Sequence, residues 1–305
     1  DQETAKAIRN LLKQERETHG SIARFFRRKI KTAPWPSVKL KHKPPKPKSI
    51  TPSRHLPALP RYGGFIRDRQ NRLGEFVHTR YYSSRTEKPG VAMRVSEYIW
   101  RGSALDAHGV PMFRSNVGIS IEEVVCGFDH LEQVNRSAQK NAKIINSAVL
   151  AMDHRWTREQ MMELGEAWAK ERFGQFGLPY ALALHEPPPG GDDRNWHIHV
   201  IWSWRPLERV KKHEWLVSEG LRTDLDGREG MWLLRERFAA LSTLMSFRRG
   251  DCDVYTALSH AARGLPIEPQ KKLYEEKTRR ARAGDFVPDN EENHERVLRS
   301  KAALI

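Results

Sequence analysis

Two short apolar runs constrain the fold more than any other part of this chain: "PYALALHE" at 179–186 and "WHIHVIWSW" at 196–204. Each is short, rich in aliphatic and aromatic residues, and bounded by proline, glycine and aspartate, which reads as a strand. The nine residues between them, "PPPGGDDRN", form a hairpin-like loop. Around this pair, strand and helix patterns mix without a regular βαβ rhythm. The chain therefore reads as an α+β fold with a central, largely antiparallel sheet and flanking helices.

Other elements follow from periodicity. "EFVHTRYYSS" (75–84) is a strand candidate, and "VAMRVSEYIWRGSALD" after it keeps Val91, Val95, Tyr98 and Ile99 on a helical period. Residues 129–152 read as a helix running into a strand near 146. Residues 157–177 read as a helix capped by Thr157, with Met161, Leu164, Trp168 and Phe173 as its apolar positions. Helical patterns are expected at 228–247, 255–262 and 269–283.

The charge is uneven. Net charge is +15, and no Asp or Glu occurs from Thr18 through Arg67, where thirteen Lys or Arg fall. The segment 33–60 also carries eight of the eighteen prolines, so it propagates neither helix nor central strand. Such a stretch is an electrostatic footprint for a polyanion, or a docking or solubilising segment. Its cations Arg24, Arg27, Arg28, Lys29, Lys39, Lys41, Lys43, Lys46 and Lys48 are the candidate DNA-binding arm, with Phe25, Phe26 and Trp35 available to stack on bases. No apolar run approaches the roughly 18 residues of a membrane helix, so no membrane insertion is expected. Cys126 and Cys252 form no CxxC pair. That fits a reducing cytoplasm and excludes a cysteine-based zinc ribbon.

Strand parity defines the candidate site. His197 and His199 lie two apart and share one face, with Ile198 and Val200 on the other. Trp196, Trp202 and Trp204 have the opposite parity and should line the back face. If the two strands pair, His185 approaches His197 or His199. Three neutral imidazoles would then converge as a metal site with open positions. The bland alternative is a set of packing or surface histidines.

The segment "GLPYALALHEPPPGGDDRNWHIHVIWSWRPL" (177–207) resembles the metal-binding segment of the MobA/MobL-type plasmid mobilisation relaxases, which are HUH endonucleases. His185, Asn195, His197, His199 and Arg205 occupy the matching places, with Trp196 where the family usually has proline. "FVHTRYYSSRTEKPGVAMRVSEYIWRG" (76–102) is similar to the family's first strand and following helix, and "YTALSHAARGLPIEPQKKL" (255–273) to its late segment. The stretch "INSAVLAMDHRW" lacks the glutamate usual in the middle strand, and "DCDVYTA" stands for the usual "DHRS".

The resemblance implies an HUH relaxase-like domain over 75–290. A basic, proline-rich extension would precede it at 1–74, and 291–305 would be a tail or the start of a further segment. It implies Tyr98 as nucleophile, with Tyr81 and Tyr82 as competitors and an amphipathic core tyrosine as the plain alternative. It implies His185, His197 and His199 as ligands of a divalent cofactor, Mn²⁺ or Mg²⁺. Asn195 is read as a turn residue or a support for a histidine, and Arg205 as a phosphate contact or a strand closure. The implied activity is nicking of one strand at an origin of transfer through a 5′-phosphotyrosine link. The implied partners are origin DNA, accessory mobilisation proteins and a type IV secretion coupling protein, in a bacterial cytoplasm. Two alternatives stay open: a non-catalytic DNA-binding relative on the same fold, and a metal-dependent phosphodiesterase that uses water.

Overall fold

The computed structural model describes residues 65–101, 112–187, 193–223 and 226–304. The basic arm, including Arg24, Arg27, Arg28, Lys29, Lys39, Lys41, Lys43, Lys46 and Lys48, lies outside the described residues, as do Gly102 and Asp192.

The central sheet has five strands: β2 (Val77–Ser83), β3 (Phe113–Ser115), β4 (Lys143–Ala151), β5 (Tyr180–His185) and β6 (His197–Trp202). Their order is β2-β4-β6-β5-β3, and every neighbouring pair is antiparallel. The two apolar runs are thus the middle of the sheet, with β6 at its centre. All six residues of β5 are buried, because helices cover both faces there.

One face carries α1 (Val91–Ile99) and α2 (Ile121–Ala138), with a core of Val91, Ile99, Val124, Phe128 and Leu131 against Ala181, Ala183 and Ile201. The other carries α3 (Arg158–Arg172) and α4 (Arg228–Arg249), with Trp168, Phe173 and Phe238 against Leu182, Ile198, Val200 and Trp202. Trp202 and Trp204 are buried in that second core and Trp196 packs on its edge, as strand parity requires.

Local chemistry fixes the helices. Thr157 caps α3 in a reciprocal capping box with Gln160. Gly165 lets α3 lie close on β6, since a Cβ there would stand 2.6 Å from Ile198 Cδ1. Gly90, at φ +82°, turns the chain into α1. The buried carboxylate of Glu132 on α2 then accepts from the N–H groups of Gly90 and Ala92, at 2.9 and 2.8 Å. A carboxylate at a helix N-terminus complements its dipole. Glu132 therefore pins one end of α1, and α1 carries Tyr98 at the other.

Smaller pieces surround this sheet: the parallel pair β1 (Arg72–Gly74) and β9 (Val254–Thr256), the hairpin of β7 (Leu207–Lys211) and β8 (Glu214–Val217), and helices α5 (Glu275–Arg282) and α6 (Pro288–Leu304). Four element expectations are corrected. Residues 255–262 are not helical: Tyr255 is in β9, where its hydroxyl donates to Asp153 at 2.7 Å, and only Ala261–Arg263 forms a 3₁₀ turn. The stretch 129–152 is broken, because α2 begins at Ile121 and ends at Ala138 before β4 starts. The charged helix at 269–283 contracts to α5. Helix α6 runs through the expected 290/291 boundary, opened by Pro288 at its first position.

Candidate metal and nucleophile site

The β5–β6 register sets His185 directly opposite His197, and Ala183 opposite His199. Ring centroids are 5.2 Å apart for His185–His197, 4.3 Å for His185–His199 and 5.1 Å for His197–His199. One ligand nitrogen from each ring can be chosen so that all three lie within 4.8 Å of one another. Around a single ion at ~2.1 Å the nitrogens would sit about 3.4 Å apart, so modest side-chain motion closes the set.

Two backbone carbonyls fix the tautomers, because a carbonyl oxygen only accepts. His185 Nε2–H donates to Ile99 O at 2.7 Å, and His197 Nδ1–H donates to Asn195 O at 2.8 Å. The lone pairs are then on His185 Nδ1 and His197 Nε2. His185 Nδ1 is a buried nitrogen with no hydrogen-bond partner, which is what a ligand position requires. Burial, joined by the neighbouring histidines and the Arg101 cation, pushes His185 down to about 4 and His199 to about 2. Both rings are neutral at pH 7, the form that binds metal. The donor set fits a divalent ion.

Tyr98 sits in the last turn of α1 and is 52% exposed, which excludes the core-tyrosine reading. Its ring meets His199 edge-on at 5.6 Å between centroids. The competitors are displaced. Tyr81 pairs with Asn146 and so faces away from the histidines. Tyr82 shares their face but lies four residues along β2 from His78, which shares a cross-strand row with Val149 and His199; that is about 13 Å. His78 itself is two strands from His199, roughly 10 Å away, and is not among the clustered ligands.

Asn195 supports His197 through its main-chain carbonyl. Arg205 is corrected as a phosphate contact. It is buried, its Nε donates to Asn135 Oδ1 at 2.6 Å, and its Nη1 donates to the carbonyls of Ser218 and Glu219. It also lies past the end of β6 opposite His197, roughly 26 Å along an extended chain. It closes the strand.

Sequence reasoning missed Arg101 and Glu132. Arg101 lies over the Tyr98 ring, with Cζ 3.9 Å from the centroid. Its only sequence signal is a cation three residues beyond the tyrosine. Glu132 reads in sequence as one more solvent-facing acid of a helix, and only the fold shows it buried at the start of α1.

The three histidines lie within a segment that matches a known family, and Tyr98 lies outside it. Residues 128–274 match the MobA/MobL family. No curated protein matches the chain. Among the solved structures similar to it, three are as follows. One is described as the molecular basis of vancomycin resistance transfer in Staphylococcus aureus, at 14% identity and TM-score 0.45, covering 61% of this chain and 98% of that one. Another is the metal-bound conjugative relaxase TrwC in complex with oriT DNA, at 12% identity and TM-score 0.40, covering 75% and 99%. The third is the Mn-bound MobM relaxase domain with plasmid oriT DNA, at 14% identity and TM-score 0.33, covering 57% and 86%. Among the described residues, no helix is long and apolar enough to cross a membrane.

Proposed function

We propose that this chain is a DNA relaxase that nicks one strand through Tyr98. The observation that carries this reading is the exposed Tyr98 ring 5.6 Å from His199 in a cluster of three histidines. In the step proposed, Tyr98 Oη attacks the scissile phosphorus and forms a new P–O bond. The P–O3′ bond breaks, the 3′ oxygen leaves with the electron pair and gains a proton, and the phenolic proton passes to solvent. The product is a 5′-phosphotyrosine ester and a free 3′-hydroxyl. An ester retains the bond's free energy, so the ends can be rejoined.

His185 Nδ1, His197 Nε2 and a ring nitrogen of His199 would hold a divalent ion, which when bound relieves negative charge on the phosphate oxygens. An all-imidazole set suits Mn²⁺ better than Mg²⁺, which prefers oxygen ligands. Glu132 holds α1 and thereby Tyr98, while Ile99 and Asn195 aim two of the rings. The basic arm would add sequence-independent affinity for DNA, and the mobilisation and coupling proteins are the partners this role calls for.

The test is to incubate the full chain with a random-sequence single-stranded DNA pool and MnCl₂, then run a denaturing gel. A covalent protein–DNA band is expected, lost on chelation and in Tyr98→Phe. An undiminished band in Tyr98→Phe overturns the nucleophile. Cleavage without any adduct indicates a water-using phosphodiesterase, and binding with neither indicates a non-catalytic relative.

A further inference from the structure

Arg101 lies against Tyr98, whose ring in turn meets His199. Its Nη1 donates to the Tyr98 carbonyl at 2.9 Å, and its guanidinium face covers the Tyr98 ring at 3.9 Å. No carboxylate pairs with it among the described residues. A dication at the three histidines would add two further positive charges, and among the described residues the cluster contains no acidic ligand. A site built this way is electrostatically incomplete until an anion enters it. The guanidinium uses its face on the tyrosine, so its remaining in-plane N–H groups are the ones left to bind that anion.

We propose that Arg101 is a catalytic residue: its in-plane N–H groups bind a non-bridging oxygen of the scissile phosphate while its face holds the Tyr98 ring beside that phosphorus. During attack, negative charge grows on those oxygens, and a fixed guanidinium stabilises it more than the ground state. The bonds made and broken are those of the tyrosine transfer above. The role in attack rests on Tyr98 as nucleophile; the phosphate contact does not.

The experiment uses a defined oligonucleotide recovered from adducts of the random pool, or, if no adduct forms, the tightest-binding sequence from that pool. Single-turnover adduct formation with MnCl₂ is followed for wild type, Arg101→Ala, Arg101→Gln and Arg101→Lys. Both neutral variants should lose about 100-fold in rate at saturating DNA, as for removal of one oxyanion donor. Arg101→Lys should recover part of that loss, since it restores the charge without the planar fork. Affinity is then measured in the Tyr98→Phe background against oligonucleotides with a single neutral methylphosphonate scanned along the chain. At one position the substitution should weaken binding roughly tenfold with Arg101 present and not in Arg101→Gln. Neutral variants within threefold of the wild-type rate would overturn the catalytic role. A scan identical in Arg101 and Arg101→Gln proteins would overturn the phosphate contact. Because the scan is done without the Tyr98 hydroxyl, an adduct persisting in Tyr98→Phe would remove the nucleophile and leave the test of Arg101 intact.

Discussion

Side chains on the two faces of β6 meet different surroundings. Ile198, Val200 and Trp202 enter a back core formed by Trp168 of α3, Phe173 just past its end and Phe238 of α4, and Phe173 stacks on Trp202 at 4.7 Å. His197 and His199 face small or half-exposed neighbours across the strands: Ala151 and Val149 on β4, Ala183 on β5. On this side α2 covers the sheet, and among the described residues the last turn of α1 and its tyrosine stand at the histidine end. The back face can therefore hold the strand rigid while the front face stays accessible. A substitution on one side should change stability, and on the other chemistry.

The largest expected effect is on the front. His199→Ala should lower adduct formation at least about 100-fold and weaken Mn²⁺ binding, with a melting temperature close to wild type. A large fall in melting temperature would show that the histidines are structural. On the back, Trp202→Ala should cost about 3–5 kcal/mol in urea unfolding, with Mn²⁺ binding per folded molecule retained. If metal binding disappeared while the protein remained folded, the two faces would not be separable.

A third effect lies on α2, beyond both. The buried Glu123 carboxylate is held down to about 2, foremost by the Arg209 guanidinium at 2.6 Å. Its ordinary value is 4.5, so its stabilising contribution is complete above 4.5 and is lost as pH falls toward 2. Unfolding free energies between pH 5 and 2.5 should show this fall, and Glu123→Gln should flatten it. An equal slope in that variant would assign the acid lability elsewhere. The smallest effect concerns the spacing between α3 and β6. Gly165→Ala places a methyl 2.6 Å from the flexible end of Ile198 and should cost about 1 kcal/mol, after the helix-propensity gain of alanine is offset.

How much of this was legible in sequence depends on how local the cause is. Period-two parity put His197 and His199 together and the tryptophans behind them, and a hairpin-like loop was enough to bring His185 alongside. The Thr157 cap was equally legible, because its partner Gln160 is three residues away. Distant causes were not. Val254–Thr256 becomes strand by pairing in parallel with Arg72–Gly74, and an apolar period in "YTALSHAA" gives no hint of that partner. Arg205 followed a strand where either phosphate or protein carbonyls could receive it, and only the fold brings Ser218 and Glu219 there. Arg101 meets the Tyr98 ring by stacking at a helix end, which residue spacing does not encode. Pro288 was a helix-start signal present in the sequence and passed over.

The central claim is that Tyr98 attacks DNA beside the three histidines. The most direct measurement is mass spectrometry of the nuclease-trimmed, protease-digested adduct formed in Mn²⁺. The expected result is a nucleotide on the phenolic oxygen of Tyr98. A nucleotide on Tyr81, Tyr82 or any other side chain would contradict it.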